Sequence, residues 1–171
     1  MTQHFINGRQ TAGRTGETMA VLAPATGEEF TRIACGNAAD IDDAVKAARA
    51  AYEGAWGKLT AAERGRLIAK LGLKVLDHFD ELALLEARDT GKPMAQAKAD
   101  IEACARYFEF YGGAADKVHG HIVPFLNGYS VNVVHEPYGV TGHILPWNDP
   151  AQMFGRSLVP ALAMGNAVVL K

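Results

Sequence analysis

The fold is decided by residues 139–171, which read GVTGHILPWNDPAQMFGRSLVPALAMGNAVVLK. Residues 140–145 are a nearly all-apolar run, which is typical of a buried parallel strand. The apolar spacing of residues 150–164 predicts an amphipathic helix that ends at Gly165, and residues 167–170 predict a second strand. This order predicts a βαβ unit of a parallel sheet, in which ligands bind beyond the carboxyl ends of the strands.

The composition excludes several classes of protein. Hydrophobic residues make up 49% of the 171 positions and charged residues 21%, which is ordinary for a globular protein. The net charge of −2 gives no reason to expect nucleic acid or an anionic membrane as a partner. No apolar run reaches the roughly 18 residues that a membrane helix needs, and the N-terminus lacks the pattern of a secretory signal. We therefore expect a cytoplasmic protein.

Upstream of the βαβ unit, the sequence predicts a small β element followed by four helices. Short strands flank turns at residues 7–8 and 24–27, residues 37–113 are helix-rich, and residues 129–136 predict a further strand. Three of the predicted helices begin at Asn37 with Asp40, at Thr60 with Glu63, and near Asp80. The third predicted helix ends at Gly91, and the fourth ends at Gly112 and Gly113. The residues predicted to face the core are Ile41, Val45, Ala48, Tyr52, Leu67, Ile68, Leu71, Val75, Leu76, Leu82, Leu85, Ala97, Ile101, Cys104, Ala105, Phe108 and Tyr111.

Common catalytic motifs are absent. The sequence contains neither GxGxxG after a strand nor GxxxxGK[ST], and it contains neither GxSxG nor HExxH. His119 and His121 form an isolated HxH in a predicted loop, which is more often a polar loop than a metal site, so we predict no metal. Cys35 and Cys104 lack CxxC spacing, and we expect both to be free and Cys104 to be buried.

The segment Pro146-Trp147-Asn148 has two interpretations. Because a proline cannot continue a buried ladder, it places Trp147 and Asn148 at the carboxyl end of the strand, where the Asn148 amide could stabilise an oxyanion. The alternative is structural: Asn148 caps the following helix and Trp147 is a core aromatic residue. Spacing alone favours the structural interpretation.

A series of short segments, spread over nearly the whole chain, favours the functional interpretation. They include ILPWN at residues 144–148 and GNAVVLK at residues 165–171, and the others are residues 5–8, 24–27, 41–56, 60–64, 90–93, 108–117, Pro150 and residues 160–163. In this order they resemble the N-terminal portion of the NAD(P)-dependent aldehyde dehydrogenase superfamily. The combination is specific, although each segment alone is weak.

The resemblance implies a function and a set of site residues. It implies oxidation of an aldehyde to a carboxylic acid with NAD or NADP, through a cysteine thiohemiacetal, hydride transfer and hydrolysis of a thioester. Asn148 would be the side-chain half of the oxyanion hole, and Lys171 would hydrogen-bond the adenosine ribose, unless Lys171 simply points into water. The residues that would line the cofactor are Ile144, Leu145, Pro146 and Trp147.

The resemblance also implies an architecture. We expect an α/β, aldehyde dehydrogenase-like fold in which a helix-rich N-terminal region packs on the start of an incomplete Rossmann-like parallel sheet. Residues 1–128 would be the N-terminal part of the cofactor-binding domain, and residues 129–138 would be a strand of the oligomerisation element. Residues 139–171 would be the first βαβ unit of the Rossmann-like domain, truncated, and the complete enzyme would be a homo-oligomer.

Two departures from the family pattern qualify this expectation. Asp149 stands where an aromatic residue usually lines the substrate tunnel, and an ionised carboxylate facing the oxyanion would disfavour the reaction, whereas at a helix N-terminus it would be favourable. Asp149 therefore puts an apolar, aromatic-lined pocket in doubt.

The second departure is that no segment matches the family's nucleophilic cysteine or general-base glutamate. Neither Cys35 nor Cys104 has the nucleophile's context, so we expect the isolated chain to be inactive, and its open sheet edge predicts aggregation. The alternative is a non-catalytic chain that binds nucleotide or contacts another subunit through residues 129–136.

Overall fold

The computed structural model describes residues 3–171 and begins with two small antiparallel hairpins. Asn7 and Gly8 both have positive φ, 52° and 72°, as a two-residue hairpin turn requires, so the predicted Asn-Gly turn is confirmed. The second hairpin contains the predicted turn at residues 24–27. The strands are β1 (His4–Ile6), β2 (Arg9–Thr11), β3 (Thr18–Leu22) and β4 (Glu29–Ala34).

Four helices follow, and both predicted capping boxes are present. The Asn37 side chain accepts from the backbone N–H of Asp40 while the Asp40 carboxylate accepts from Asn37 N, and Thr60 and Glu63 are related in the same way. These reciprocal bonds satisfy N–H groups that have no partner within the helix. The helices are α1 (Ala38–Glu53), α2 (Ala61–Asp77), α3 (Phe79–Thr90) and α4 (Met94–Ala114).

The core forms where α2 crosses α4 through small residues. A Cβ built on Gly65 would lie 2.3 Å from the Gly112 carbonyl oxygen, so the two backbones approach more closely than any side chain allows. This close crossing buries Ile68 of α2 against Phe108 of α4. The predicted α4 stripe is confirmed at Ala97, Ile101, Cys104, Ala105 and Phe108, which are buried, and Tyr111 is partly buried.

Several predicted inward positions are wrong. Leu67, Leu71 and Leu76 are exposed, because α2 presents Gly65, Ile68 and Gly72 to α4 instead. Leu85 of α3 is 53% exposed, because the inward face of that helix contains Ala83 and the buried carboxylate of Glu86. The other exposed positions among those predicted to be buried are Ile41 and Val45 of α1.

The predicted βαβ unit is present. Strand β7 (Val140–His143) pairs in parallel with β8 (Ala167–Leu170), and α5 (Pro150–Ala163) connects them. Helix α5 packs on α4, where Gly155 lies against the backbone of Cys104. The α/β class is thus confirmed, with helices predominating over small sheets.

The strand predicted over residues 129–136 is shorter than expected. Only Val131–Val133 forms β6, which pairs with β5 (His121–Val123) in a separate antiparallel hairpin. Between residues 3 and 171, no helix combines the length and apolar character needed to cross a membrane.

Candidate functional site

The carboxyl ends of β7 and β8 define one edge of the parallel pair. Beyond the strand ends, Leu145 N donates to Lys171 O over 2.8 Å and Lys171 N donates to His143 O over 2.8 Å. These bonds extend the pairing past the assigned strands and fix Lys171 beside Leu145. The segment carrying Asn148 and the end of β8 therefore lie at the same edge, as parallel pairing requires.

The segment after β7 is turned outward. Ile144 is 83% exposed and Trp147 is 86% exposed, and Pro146, Asn148 and Lys171 are also exposed, whereas Leu145 is partly buried. The interpretation of Trp147 as a core aromatic residue is therefore wrong. Ile144 and Trp147 thus offer exposed apolar groups on this segment, and the backbone of Lys171 lies at the same edge.

Asn148 does not cap α5. The N-cap position belongs to Asp149, with Pro150 as the first helical residue, and the Asn148 Nδ2 donates to Asp149 Oδ2 over 2.7 Å. Pro at the first position is favourable because its missing N–H has no helical partner there. The structural interpretation of Asn148 is thus wrong, and its amide remains at the exposed edge.

Asp149 makes no side-chain cap bond, although it occupies the cap position. The capping function is performed by Glu86 of α3, whose Oε2 accepts from Ala151 N over 3.2 Å. The Asp149 Oδ1 instead accepts from Lys92 Nζ over 2.9 Å. The carboxylate beside Asn148 is therefore ion-paired with an ammonium group.

Lys92 is the centre of a buried charge cluster. Its Nζ also donates to Glu86 Oε1 over 2.9 Å and to Asp100 Oδ2 over 2.5 Å, so all three ammonium hydrogens have carboxylate acceptors. Burial acts most strongly and lowers the pKa of Lys92, but hydrogen bonds to Asp100, Asp149 and Glu86 together outweigh it and raise that pKa above its ordinary value. Lys92 is therefore charged at neutral pH.

The position of Lys92 depends on the turn between α3 and α4. Gly91 ends α3 with φ of 74°, a left-handed conformation that a side chain disfavours. The turn directs Lys92 inward, between α3, α4 and the start of α5, where its side chain is 8% exposed. The lysine thus ties three helices together at the base of the Asn148 segment.

The other end of α5 is held by a buried asparagine. Asn166 Oδ1 accepts from Gly139 N over 3.1 Å, and its Nδ2 donates to Ala161 O over 3.0 Å. The indole of Trp56 donates to Asn166 O over 2.9 Å. These bonds fix the start of β7 against the end of α5, and so set the angle at which β7 delivers the Asn148 segment.

The two thiols differ in environment. Both cysteines are free and Cys104 is buried, as predicted, whereas Cys35 is partly exposed. Burial raises the pKa of Cys104 to about 11, so this thiol is protonated near neutral pH. The Cys104 thiol is accordingly a packing group between α4 and α5.

Sequence reasoning missed the residues that support the site. Glu86, Lys92, Asp100 and Asn166 are all polar, and local periodicity predicts such residues to be solvated. The available signal was weak: Glu86 lies on the same helical face as Leu82 and Ala83, and Asn166 stands between the glycine that ends α5 and an apolar strand. Neither signal predicts the long-range partner.

Comparison with known proteins identifies the wider similarity. Residues 11–171 match the aldehyde dehydrogenase family. The chain is 47% identical to aldehyde dehydrogenase family 2 member B4, mitochondrial, of Arabidopsis thaliana, covering 99% of this chain and 32% of that protein. It is 41% identical to human retinal dehydrogenase 2, with 99% and 33% covered.

Solved structures give the same result. The structure of a Bacillus cereus aldehyde dehydrogenase in complex with NAD+ is similar with a TM-score of 0.96 and 40% identity, covering 99% of this chain and 35% of that one. The chain therefore spans about a third of the length of the relatives it matches.

Proposed function

The chain belongs to the aldehyde dehydrogenase family, and from this membership we propose that it supplies the oxyanion-binding amide and one wall of the cofactor site of an enzyme that oxidises an aldehyde to a carboxylic acid. The observation that carries the proposal is the exposed Asn148 amide beyond the carboxyl end of β7, with Lys171 at the same edge. In open α/β sheets this edge is where ligands bind.

The proposed cofactor is NAD or NADP. The residues at this edge fit such a dinucleotide: exposed Ile144 and Trp147 offer apolar surface, and the Lys171 ammonium could donate to ribose hydroxyls. The similar Bacillus cereus enzyme, solved with NAD+, supports this assignment. When bound, such a dinucleotide would supply the acceptor for the hydride that leaves the former aldehyde carbon.

The Asn148 amide has a defined role in this proposal. A cysteine thiolate, contributed by polypeptide outside these 171 residues, attacks the aldehyde carbon, and the carbonyl π electrons move to oxygen to give a thiohemiacetal oxyanion. The Asn148 Nδ2 has two hydrogens, one of which is donated to Asp149, and the second is donated to that oxyanion. Loss of hydride then gives a thioester, and water releases the carboxylic acid and the thiol.

The proposal is tested by Asn148→Ala in the complete enzyme. We expect kcat to fall by roughly 10²–10³-fold, equivalent to about 2.7–4 kcal/mol of transition-state stabilisation, with a smaller change in KM. Gln10→Ala is the matched control, because Gln10 is an exposed side-chain amide on β2, remote in sequence from the edge. An unchanged kcat for Asn148→Ala would contradict the oxyanion role.

The role of Lys171 needs its own measurement. Lys171→Met keeps the aliphatic stem and removes the ammonium, so we expect the KM for NAD+ or NADP+ to rise while kcat changes little. An unchanged KM for both dinucleotides would show that the Lys171 side chain only contacts water.

We also propose that residues 129–138 contact another subunit in a homo-oligomer. The support is a concentration of exposed apolar side chains on and near the β5–β6 hairpin, namely Ile122, Phe125, Leu126, Tyr129, Val134 and Tyr138. Val134→Asp should lower the oligomer mass measured by light scattering, and Leu73→Asp, a change at an exposed aliphatic residue of α2, should not. An unchanged mass for Val134→Asp would contradict the assignment.

A further inference from the structure

A single buried lysine connects three helices to the residue beside Asn148. Lys92 donates to Glu86 from α3, to Asp100 from α4 and to Asp149 at the start of α5, and the side chains are 8%, 5%, 9% and 25% exposed in the order Lys92, Glu86, Asp100, Asp149. Burying these charges is costly unless each is paired and hydrogen-bonded. The main effect of such a buried ion cluster is to fix the positions of its side chains, and its net contribution to stability is small.

Within this cluster, Asp149 has a distinctive pair of partners. One carboxylate oxygen accepts from Lys92 and the other accepts from the Asn148 amide, while the helix N–H that an N-cap aspartate commonly binds is taken by Glu86. Asp149 is therefore free of the capping role and joins the buried ammonium to the exposed amide. Asp100 and Glu86 have no hydrogen bond to Asn148; their bonds hold Lys92 in place.

The chemistry of an amide makes this contact directional. Rotation of an asparagine side chain by about 180° exchanges its NH2 group for its carbonyl oxygen. A carboxylate accepts a hydrogen bond from the NH2 group and repels the carbonyl oxygen, so Asp149 selects one orientation. Because the two N–H bonds share the amide plane, fixing one also fixes the direction of the other.

We propose that Asp149, anchored by Lys92, is a positioning residue that holds the Asn148 amide with one N–H aimed at the reacting oxygen. The inference rests on the proposed oxyanion role of Asn148. The Lys92 ammonium has a second part in it: its positive charge, which it shares with Glu86 and Asp100, offsets part of the Asp149 charge and so reduces the repulsion of the oxyanion.

The test is a double-mutant cycle in the complete enzyme between positions 149 and 148. We expect Asp149→Ala to lower kcat by about tenfold to a hundredfold, less than removal of the donor itself, with little change in the KM for aldehyde. In the Asn148→Ala background, the same Asp149→Ala change should lower kcat little further, because no amide remains to be oriented. Asp149→Asn, which preserves shape and can still accept from Asn148, should lie between Asp149→Ala and the unchanged enzyme.

Controls separate orientation from folding. Asp80→Asn breaks an exposed Lys98–Asp80 ion pair with an N–O distance of 2.9 Å, similar to that of the Lys92–Asp149 pair, and should leave kcat unchanged. The concentration of folded sites, measured by active-site titration, normalises every kcat, and the circular dichroism spectrum checks folding. If Asp149→Ala is impaired in folding, Asp149→Asn alone carries the comparison.

The outcomes distinguish the two proposals. Strong non-additivity supports the positioning role. If Asn148→Ala lowers kcat but Asp149→Ala and Asp149→Asn do not, or if the two positions act additively, the positioning role is overturned and the oxyanion role stands. If Asn148→Ala leaves kcat unchanged, both are overturned.

Discussion

Replacing two neighbouring glycines of α4 by alanine should change stability in opposite directions. A Cβ on Gly112 would lie 2.9 Å from the Gly65 carbonyl oxygen and 3.0 Å from the Ala69 nitrogen, whereas a Cβ on Gly113 would meet nothing within 4 Å. Both positions are helical, so the loss of backbone freedom in the unfolded chain favours alanine at each. Only Gly112 adds a steric penalty, and it is against backbone, which cannot rotate away.

The magnitude follows from these two terms. Glycine to alanine within a helix is worth about 0.5–1 kcal/mol, so Gly113→Ala should stabilise the protein by up to this amount. Forcing a methyl group into a packed crossing costs typically about 1–3 kcal/mol. Because the helical term is common to both variants, Gly112→Ala should be less stable than Gly113→Ala by about 1–3 kcal/mol.

Urea denaturation followed by circular dichroism measures this difference directly. Equal slopes with shifted midpoints would show that stability, and not the extent of unfolding, has changed. The reasoning would be refuted if Gly112→Ala were as stable as Gly113→Ala, since α2 and α4 would then have room to separate. Gly65→Ala, on the other side of the crossing, should reproduce the loss, because its Cβ would lie 2.3 Å from Gly112 O.

Three further predictions concern buried polar groups and thiols. Asn166→Ala removes the acceptor of the buried Gly139 N–H and should lower the unfolding free energy by about 2–4 kcal/mol. Asn127→Ala, at an exposed loop asparagine, should change the unfolding free energy by less than about 0.5 kcal/mol. A similar loss for both variants would contradict the structural role of Asn166. The pKa of Asp40 is lowered chiefly by the hydrogen bond from the backbone N–H of Asn37, so the stability that the Asp40 carboxylate contributes is present above about pH 4 and is lost as pH falls through the lower native pKa. Asp40→Asn should therefore lower Tm at pH 7 more than at pH 2. Parallel Tm profiles of the two proteins against pH would contradict this prediction. Under native conditions iodoacetamide should modify Cys35 faster than Cys104, because the pKa of Cys104 is raised to about 11 by burial; equal rates by mass spectrometry would argue against the packing described.

The main elements of the fold could be predicted because their signals are local. The capping boxes at Asn37 and Thr60, the left-handed stop at Gly91 and the βαβ order from residue 139 all rely on residues a few positions apart. Helix faces were less predictable. Helix α2 has more leucines than glycines, but Gly65 and Gly72 are the positions that contact α4 closely. Apolar periodicity cannot predict this, because it counts large apolar side chains and glycine has none.

The candidate site divides in the same way. The position of Asn148 after a proline-ended strand could be read from the sequence, and so could the parallel pairing that places Lys171 at the same edge. The sequence could not show whether Asn148 caps the helix or remains available to a ligand, since both assignments fit the local spacing. In the structure Asp149 holds the N-cap position, and its side chain binds Lys92, which is 57 positions away in sequence.

By itself, then, the sequence determined the order of the helices and strands, the edge at which ligands would bind and the family resemblance, because each depends on neighbours along the chain. Only the tertiary structure decided which polar groups are buried together. The Lys92 cluster and Asn166 join residues from separate helices and strands, and their charges and amides are stable there because distant partners complete their hydrogen bonds. A chain read in order shows these residues only as polar, and folding brings the Lys92 cluster to the start of α5, next to Asn148, and Asn166 to the other end of that helix.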